Sequence, residues 1–238
     1  MTGYLYNPKF IAYGDLLFKR RNRIFPVFLI CLFLAFKPRG PESLLWVGLA
    51  VTVAGQILRM AVIGFAYIKR GGLNKKVYAD TLVTGGFFGA CRNPLYVGNV
   101  LILGGLLLMH GNPFVLTIGA AFFLTGYQAI VATEENFLRN KFDAKYREYC
   151  AGVPRWRIRF ERLPQILRGM EFNWRKVVYN DYSTAAGWGT QALALCAYRE
   201  YCASGRASVH WLYAMLGLAS CTLLIRLVKK TFPLRTYV

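Results

Sequence analysis

An arginine and two adjacent carboxylates stand at the two ends of an apolar hairpin in this chain. The hairpin begins at Arg92-Asn93-Pro94-Leu95-Tyr96-Val97-Gly98, turns at His110-Gly111-Asn112-Pro113 and ends at Glu134-Glu135. Because a hairpin returns the chain to its starting side, we expect both charged ends at the same membrane face. A guanidinium binds a carboxylate bidentately, and a carboxylate binds an ammonium group. The pattern therefore predicts a site for a zwitterionic cofactor at a membrane surface.

The chain is too apolar for an ordinary soluble domain. Hydrophobic residues make up 55% of its 238 residues and charged residues only 17%, whereas soluble domains have about 25% charged residues. We predict an all-α polytopic transmembrane helical bundle of about five to six membrane segments, because several apolar windows approach the roughly 20 residues that cross a hydrocarbon core. A cytoplasmic cofactor pocket is expected in this bundle. The apolar windows are Ile24–Phe36, Leu44–Ile68, Leu95–Met109, Phe114–Ala132, Ala186–Ala203 and Val209–Val228.

The excess of basic residues favours a membrane surface over nucleic acid as the partner. Lys and Arg total 30 against 11 acidic residues. The basic clusters at 19–23, 69–76, 139–176 and 229–230 would all lie on one side of a bundle with these windows as spans. Such an excess is typical of the cytoplasmic side, where anionic lipid attracts Lys and Arg. We therefore predict an integral, multi-pass membrane protein with both termini cytoplasmic and no nucleic-acid partner.

Cysteine and histidine do not indicate a metal site or a disulfide framework. The six cysteines are scattered in or beside apolar segments, and the only histidines are His110 and His210. Scattered cysteines of this kind usually act as small buried hydrophobes. We expect no metal, and we expect no cleavable signal peptide because the first apolar segment lacks a small-residue cleavage site.

Two features precede the hairpin. Arg59 lies in an otherwise apolar run, and an arginine at such depth usually faces the protein interior or a wet cavity, although it could also snorkel toward the basic face. The stretch Lys69–Gly89 is rich in glycine and too polar to cross a membrane. Because glycine lets the backbone approach a ligand closely, we expect a loop over the cofactor there. Asn93 and Pro94 suit the cap and the first turn of the following helix.

The segment after the two carboxylates has helical spacing and ends at Val153-Pro154-Arg155-Trp156. Its apolar stripe is more often a docking face than a binding site. The stripe consists of Phe137, Leu138, Phe142, Tyr146 and Tyr149.

The ordered set of motifs between Gly55 and Trp156 resembles the integral-membrane methyltransferase superfamily that includes isoprenylcysteine carboxyl methyltransferases and phospholipid N-methyltransferases. Members carry an Arg in a helix, a Leu-Val-x-x-Gly turn, an Arg-His-Pro-x-Tyr-x-Gly motif, a Glu-Glu pair and a Phe-Gly-x-x-Tyr-x-x-Tyr segment. The corresponding residues here are Arg59, Leu82-Val83-Thr84-Gly85, Arg92–Gly98, Glu134-Glu135 and Phe142–Tyr149.

Two positions depart from that pattern. Asn93 stands where carboxyl methyltransferases have His, and phospholipid methyltransferases commonly have Asn, so this position favours a phospholipid acceptor. Asp143 stands in place of the usual Gly. The Val153-Pro154-Arg155-Trp156 ending instead resembles the carboxyl methyltransferase branch.

The resemblance implies S-adenosylmethionine bound at the cytoplasmic face and a lipid-like acceptor that arrives laterally from the bilayer. The acceptor would be a phospholipid amine or an isoprenylcysteine-type carboxylate. Catalytic roles are implied for Glu134, Glu135 and Arg59. The implied cofactor-binding residues are Leu82, Val83, Gly85, Arg92, Asn93, Pro94, Tyr96, Gly98, Glu134, Glu135, Tyr146 and Tyr149.

Methyl transfer from a sulfonium is an in-line displacement, so positioning and the exclusion of water are the main tasks. Arg92 could bind the cofactor's carboxylate, and Glu134 or Glu135 its ammonium group or ribose hydroxyls. An amine acceptor must lose a proton before attack, and either carboxylate is a candidate base. The structural alternative for the pair is a polar helix end beside Arg139 and Lys141.

Two other functions compete with this one. Sterol reductases resemble the chain near Tyr149-Cys150-Ala151-Gly152-Val153-Pro154, so an NADPH-dependent membrane reductase is the first alternative. A non-catalytic lipid-binding scaffold is the second. For the methyltransferase we expect residues 1–54 to form an N-terminal interfacial segment and the first membrane helices, 55–160 the methyltransferase core, and 161–238 an interfacial segment with a C-terminal membrane hairpin.

Overall fold

The computed structural model describes residues 6–65, 79 and 81–231 of the chain. These residues contain no strand, and apart from a short 3₁₀ helix over Phe160–Arg162 their regular structure is α-helical. The basic cluster at 69–76 and most of the glycine-rich stretch lie outside the described residues. The helices are α1 (Pro8–Ala35), α2 (Glu42–Gly64), α3 (Phe87–Ala90), α4 (Pro94–His110), α5 (Pro113–Gly152), α6 (Leu163–Ile166), α7 (Trp174–Ser204) and α8 (Val209–Thr231).

The prediction of an all-α polytopic bundle is confirmed. Among the described helices, α2, α5 and α8 are long and apolar enough to cross a membrane, and α4 is apolar but shorter. The apolar windows predicted at Ile24–Phe36 and Ala186–Ala203 lie within the long helices α1 and α7. Whether these two helices also cross the membrane stays a prediction.

Asparagine begins four of the helices. The side-chain oxygens of Asn7, Asn112 and Asn173 each accept a hydrogen bond from a backbone N–H in the first turn, at 2.9–3.0 Å. This contact satisfies one of the N–H groups that a helix start leaves unpaired. Asn93 occupies the same position before α4, but its side chain donates to the Arg155 carbonyl instead. Asn93 therefore precedes α4 as predicted, but its side chain does not cap the helix.

Small residues bring α2 and α4 into close contact, the most extensive packing of the bundle. A Cβ on Gly48 would lie 2.5 Å from the Gly105 carbonyl oxygen, and one on Gly55 would lie 2.7 Å from that of Gly98. Between these two points, Thr52 is fully buried and donates to the Gly48 carbonyl. Close backbone approach through small residues is a typical way for membrane helices to associate.

Aromatic rings join α1 to α5. Phe25 packs edge-on against Phe123 and Tyr127, each at a centroid distance of 5.3 Å, and Phe28 stacks on Phe122 at 3.7 Å. Aromatic contacts of this geometry add to the stabilisation from burial. They fix α5 beside the first helix along the part that precedes the two carboxylates.

The long helix α5 is kinked at Asp143. This residue has φ 37° and ψ −106°, a backbone conformation that glycine adopts readily and other residues adopt with strain. It occupies the position where the resembling family has Gly, the residue that adopts this conformation most easily. Past the kink, the Tyr149 hydroxyl donates to the Phe88 carbonyl at 2.7 Å and ties the end of α5 to α3.

The C-terminal helices α7 and α8 pack against each other, and α7 begins earlier than expected; a hairpin within the membrane stays a prediction. Helix α7 starts at Trp174 instead of near Ala186, so the predicted interfacial segment contains the first turns of this helix. α7 packs against α2 and α4 as well as against α8, whereas no residue of α8 is buried. Within the described residues, α7 therefore attaches the two C-terminal helices to the core.

The α2–α4 contact gives a first prediction, with a control in the adjacent residue. Gly105→Ala should lower the stability by about 1–3 kcal/mol, because its Cβ would overlap the Thr52 hydroxyl and the Gly48 carbonyl. Gly104→Ala should have little effect, because no described atom lies within 4 Å of a Cβ there. Thermal unfolding in detergent measures both. Equal melting temperatures for the two variants would contradict the close packing.

Candidate active site

Arg92 and Glu135 form an ion pair that closes the base of the hairpin. Arg92 precedes α4 and Glu135 lies in α5, and Arg92 Nη1 donates to Glu135 Oε1 at 3.0 Å. Burial is the largest single influence on the pKa of Arg92 and lowers it, but Glu135, Cys150 and Tyr146 together raise it by more, so the net shift of that pKa is upward. The predicted meeting of the two charged ends is thus confirmed.

Glu135 also binds Arg155 and Tyr6. Arg155 Nε donates to Glu135 Oε1 at 3.1 Å, and the Tyr6 hydroxyl donates to Oε2 at 3.2 Å. Partial burial and the nearby Glu135 charge raise the pKa of Tyr6, which keeps its hydroxyl protonated as a donor at neutral pH. One carboxylate thus connects α5, the segment before α4, the segment after α5 and the N-terminal segment. We call these four residues, Tyr6, Arg92, Glu135 and Arg155, the Glu135 cluster.

Glu134 has different partners on the other side of α5. The Tyr96 hydroxyl donates to Glu134 Oε1 at 2.7 Å, and Arg21 Nη1 donates to the same Tyr96 hydroxyl at 2.9 Å. The Tyr96 hydroxyl therefore bridges the Arg21 guanidinium of α1 and the Glu134 carboxylate of α5. The two adjacent carboxylates are consequently held by separate sets of side chains.

A narrow pocket lies against both carboxylates. Thr81 of the glycine-rich stretch is on its wall, as is Leu138 of the amphipathic stripe. The expectation of a loop over a ligand stays a prediction, because most of that stretch lies outside the described residues. The pocket brings together eight of the predicted site residues: Leu82, Val83, Arg92, Asn93, Glu134, Glu135, Tyr146 and Tyr149.

The other predicted cofactor-binding residues do not line this pocket. Pro94 is buried in the first turn of α4, and Tyr96 reaches the site through its hydrogen bond to Glu134. Gly85 stands just before α3, with no described atom within 4 Å of a Cβ built on it. Gly98 faces α2, and a Cβ there would lie 2.6 Å from Arg59 Cγ. On its Cβ side Gly85 therefore has no close neighbour among the described residues, and Gly98 contributes to the packing of α4 against α2.

Arg59 lies apart from the pocket in a buried polar cluster between α2, α4 and α7. Its side chain is hydrogen-bonded to Asn99 and to Asp181, which is 1% exposed. Gln56 donates to the other Asp181 oxygen at 2.7 Å, and Trp188 donates to Gln56 at 2.8 Å. Arg59 thus faces the protein interior, the first of the two expected orientations. Its predicted catalytic role stays a prediction, and the geometry shows it as a link between α2 and α7.

Four residues that sequence reasoning did not place in the site now belong to its surroundings: Tyr6, Arg21, Arg155 and Asp181. Arg155 had a signal, because it lies in the Val153–Trp156 ending that the resemblance singled out. Tyr6 had none, since it contacts Glu135 from 129 positions away. Asp181 likewise meets Arg59 across 122 positions.

The residues of the pocket suit a zwitterionic cofactor. Arg92 Nε is buried and, within the described part of the chain, has no hydrogen-bond partner. A buried N–H without an acceptor is costly, and a ligand carboxylate in the pocket would satisfy it. The carboxylates of Glu134 and Glu135 line the same wall, and carboxylate oxygens accept hydrogen bonds from donors such as an ammonium group or hydroxyls.

Comparisons with known proteins agree with the motifs. Residues 44–145 match the model of the phospholipid methyltransferase family, which confirms the resemblance over that stretch and supports a membrane methyltransferase. The cobalt-zinc-cadmium resistance protein CzcN of Cupriavidus metallidurans is 33% identical over 107 residues, which are 43% of this chain. These residues cover 49% of that protein, so the chain spans about half the length of this relative. No solved structure matches the chain.

Charge pairing at the pocket predicts the effect of two substitutions on cofactor affinity. Arg92→Ala and Glu135→Gln should each raise the Kd for S-adenosylhomocysteine about tenfold or more, because each removes a charged hydrogen-bonding group. Calorimetric titration of the detergent-purified protein measures the change. Glu148→Gln, an exposed carboxylate on the same helix, is the matched control. Wild-type affinity in both site variants, with the fold intact, would rule out this binding site.

The Arg59–Asp181 pair gives a separate prediction that tests the catalytic role of Arg59. Arg59→Gln and Asp181→Asn should each destabilise the protein, by about 3–5 kcal/mol if the remaining charge stays buried. The double variant should be more stable than either single variant, since no uncompensated charge remains. Thermal unfolding and methyl transfer are measured on all three. Activity retained by the double variant would make Arg59 structural, and activity lost from a folded double variant would make it catalytic.

Proposed function

We propose that this protein is an S-adenosylmethionine-dependent methyltransferase that acts on a lipid-like acceptor at the membrane surface. One observation carries the proposal. Arg92 and Glu135, 43 positions apart in the sequence, form an ion pair, and together with Asn93 and Glu134 they line one pocket. The match of residues 44–145 to phospholipid methyltransferases supports the same reaction class. A guanidinium and two carboxylates around one pocket suit a zwitterionic cofactor and therefore favour a methyltransferase over a reductase or a scaffold.

The residues have distinct tasks toward the cofactor, which supplies a methyl group on a sulfonium. The Arg92 guanidinium would bind its carboxylate, and Glu135 would bind its ammonium group. Asn93, Tyr146 and Tyr149 line the rest of the pocket, where aromatic side chains exclude water. In this arrangement the protein's contribution is orientation, which can account for several kcal/mol of an in-line transfer.

An amine acceptor makes a demand that a carboxylate acceptor does not. Its ammonium form must give a proton to a base, and Glu134 and Glu135 are the candidates on the pocket wall. With the cofactor bound, the neutral nitrogen would form a bond to the methyl carbon as the carbon–sulfur bond breaks, and S-adenosylhomocysteine would leave with a neutral thioether sulfur. Asn93, where carboxyl methyltransferases have His, favours the amine.

The acceptor would reach the pocket from the bilayer. Phe114–Ala132 forms the apolar part of α5, and Glu134 and Glu135 follow directly in the same helix. The site thus begins where the hydrocarbon-compatible sequence ends. The basic residues around it, such as Arg21 and Arg139, support a cytoplasmic location for this face and for both termini.

Paired titrations test the proposed function. Detergent-purified protein is titrated with S-adenosylhomocysteine and, in parallel, with NADPH. We expect micromolar affinity for the first and none for the second, and NADPH binding alone would replace the methyltransferase by a reductase. Transfer of radiolabelled methyl groups to vesicles that contain phosphatidylethanolamine, and to S-farnesylcysteine, then identifies the acceptor class. Binding of neither cofactor would favour a scaffold.

A further inference from the structure

A second pocket lies beside the first and shares one wall with it. Arg92, Glu135 and Tyr146 line both pockets. The second pocket has a cavity volume of about 250 Å³. A water molecule takes up about 30 Å³ in the liquid, so this cavity has room for a phosphate-sized group. If the cofactor occupies the first pocket, a ligand in the second pocket would lie next to it across the shared wall.

Most of the side chains that line this second pocket but not the first are cationic or hydrogen-bond donors. Tyr6, Asn136, Arg139 and Arg155 lie there. With Arg92, three guanidinium groups face the single carboxylate of Glu135, which leaves two positive charges in excess. A pocket of this charge favours an anionic ligand.

Two of these arginines have donors to spare. Arg139 forms no ion pair with any residue in the described part of the chain. Arg155 Nη2 is buried and lies 3.1 Å from Glu135 Oε2, but it lacks the geometry of a hydrogen bond and has no other partner among the described residues. Planar guanidinium groups bind phosphate bidentately. A phosphate has enough oxygens to accept hydrogen bonds from these surplus donors, whereas the single Glu135 carboxylate leaves them unpaired.

The depth of the pocket also fits a lipid headgroup. The apolar window of α5 ends at Ala132, so Glu135 and Asn136 lie about 5–6 Å further along the helix and Arg139 about 10 Å. The headgroup layer on each side of the hydrocarbon core is about 5–8 Å thick. Asn136 thus falls in the layer that holds lipid phosphates, and the long side chain of Arg139 can reach back to it.

We propose that the second pocket binds the phosphate of a phospholipid acceptor, through Arg139 and Arg155 with Asn136 and Tyr6 as further donors. The inference rests on the proposed methyltransferase function. It places the amine end of such an acceptor at the wall that both pockets share, beside Glu135. The anionic group is then held by residues that do not line the cofactor pocket.

Arg139→Gln tests the phosphate subsite without touching the Glu135 cluster. The full chain, in a phosphate-free maltoside detergent with saturating S-adenosylhomocysteine, is titrated with dihexanoyl-phosphatidylethanolamine. We expect this substitution to raise the Kd for the lipid about tenfold, the effect of losing a charged hydrogen bond, with the Kd for S-adenosylhomocysteine unchanged. Lys145→Gln removes an exposed charge from the same helix and should leave both values unchanged.

The other outcomes overturn the inference, and two competitors separate the sources of the anion. Unchanged lipid affinity in Arg139→Gln, or an equal loss of S-adenosylhomocysteine affinity, would each contradict a separate phosphate subsite. Displacement of the lipid by inorganic phosphate at similar concentration would indicate a site for free phosphate, and stronger binding of S-farnesylcysteine would indicate a carboxylate acceptor. Wild-type protein that binds the lipid but no S-adenosylhomocysteine would refute the proposed function and leave the phosphate subsite standing.

Discussion

The carboxylate of Glu135 is the interaction on which the candidate site depends. It accepts hydrogen bonds from Arg92, Arg155 and Tyr6, which come from three separate segments of the chain. A carboxylate in such surroundings is not replaced easily, because each guanidinium would be left partly buried without its counter-charge. The same contacts position the walls of both pockets. Binding and local architecture are therefore linked through one side chain.

A second charged cluster, around Arg59 and Asp181, attaches the C-terminal hairpin to the core. The stretch that matches phospholipid methyltransferases ends at residue 145, so α7 lies outside it. Asp181 nevertheless supplies the counter-charge for an arginine within that stretch. A buried arginine in an apolar helix needs such a partner. Asp181 lies in the part of α7 that precedes its apolar window, and within the described residues α8 packs mainly against α7.

Local patterns predicted the parts of the structure that depend on neighbouring residues. Apolar windows located the helices, and Asn-Pro pairs marked the starts of α4 and α5. The hairpin between Arg92 and Glu135 brought its ends together as expected because its two helices are consecutive. The positive φ of Asp143 is visible only in the structure, because aspartate rarely adopts it. Tyr6 and Asp181 could not be predicted, because their partners lie more than 120 positions away and no periodic signal connects them.

The most direct measurement is a structure of the full chain in a lipid phase with S-adenosylhomocysteine bound. We expect the carboxylate of the ligand within about 3 Å of the Arg92 guanidinium, a normal hydrogen-bond distance, and its ammonium group beside Glu135. The ligand should lie between Leu82 and Tyr149, on the pocket side of α5. Density for the ligand elsewhere, for example beside Arg59, with the Arg92–Glu135 pair unchanged and unliganded, would contradict the site proposed for this protein.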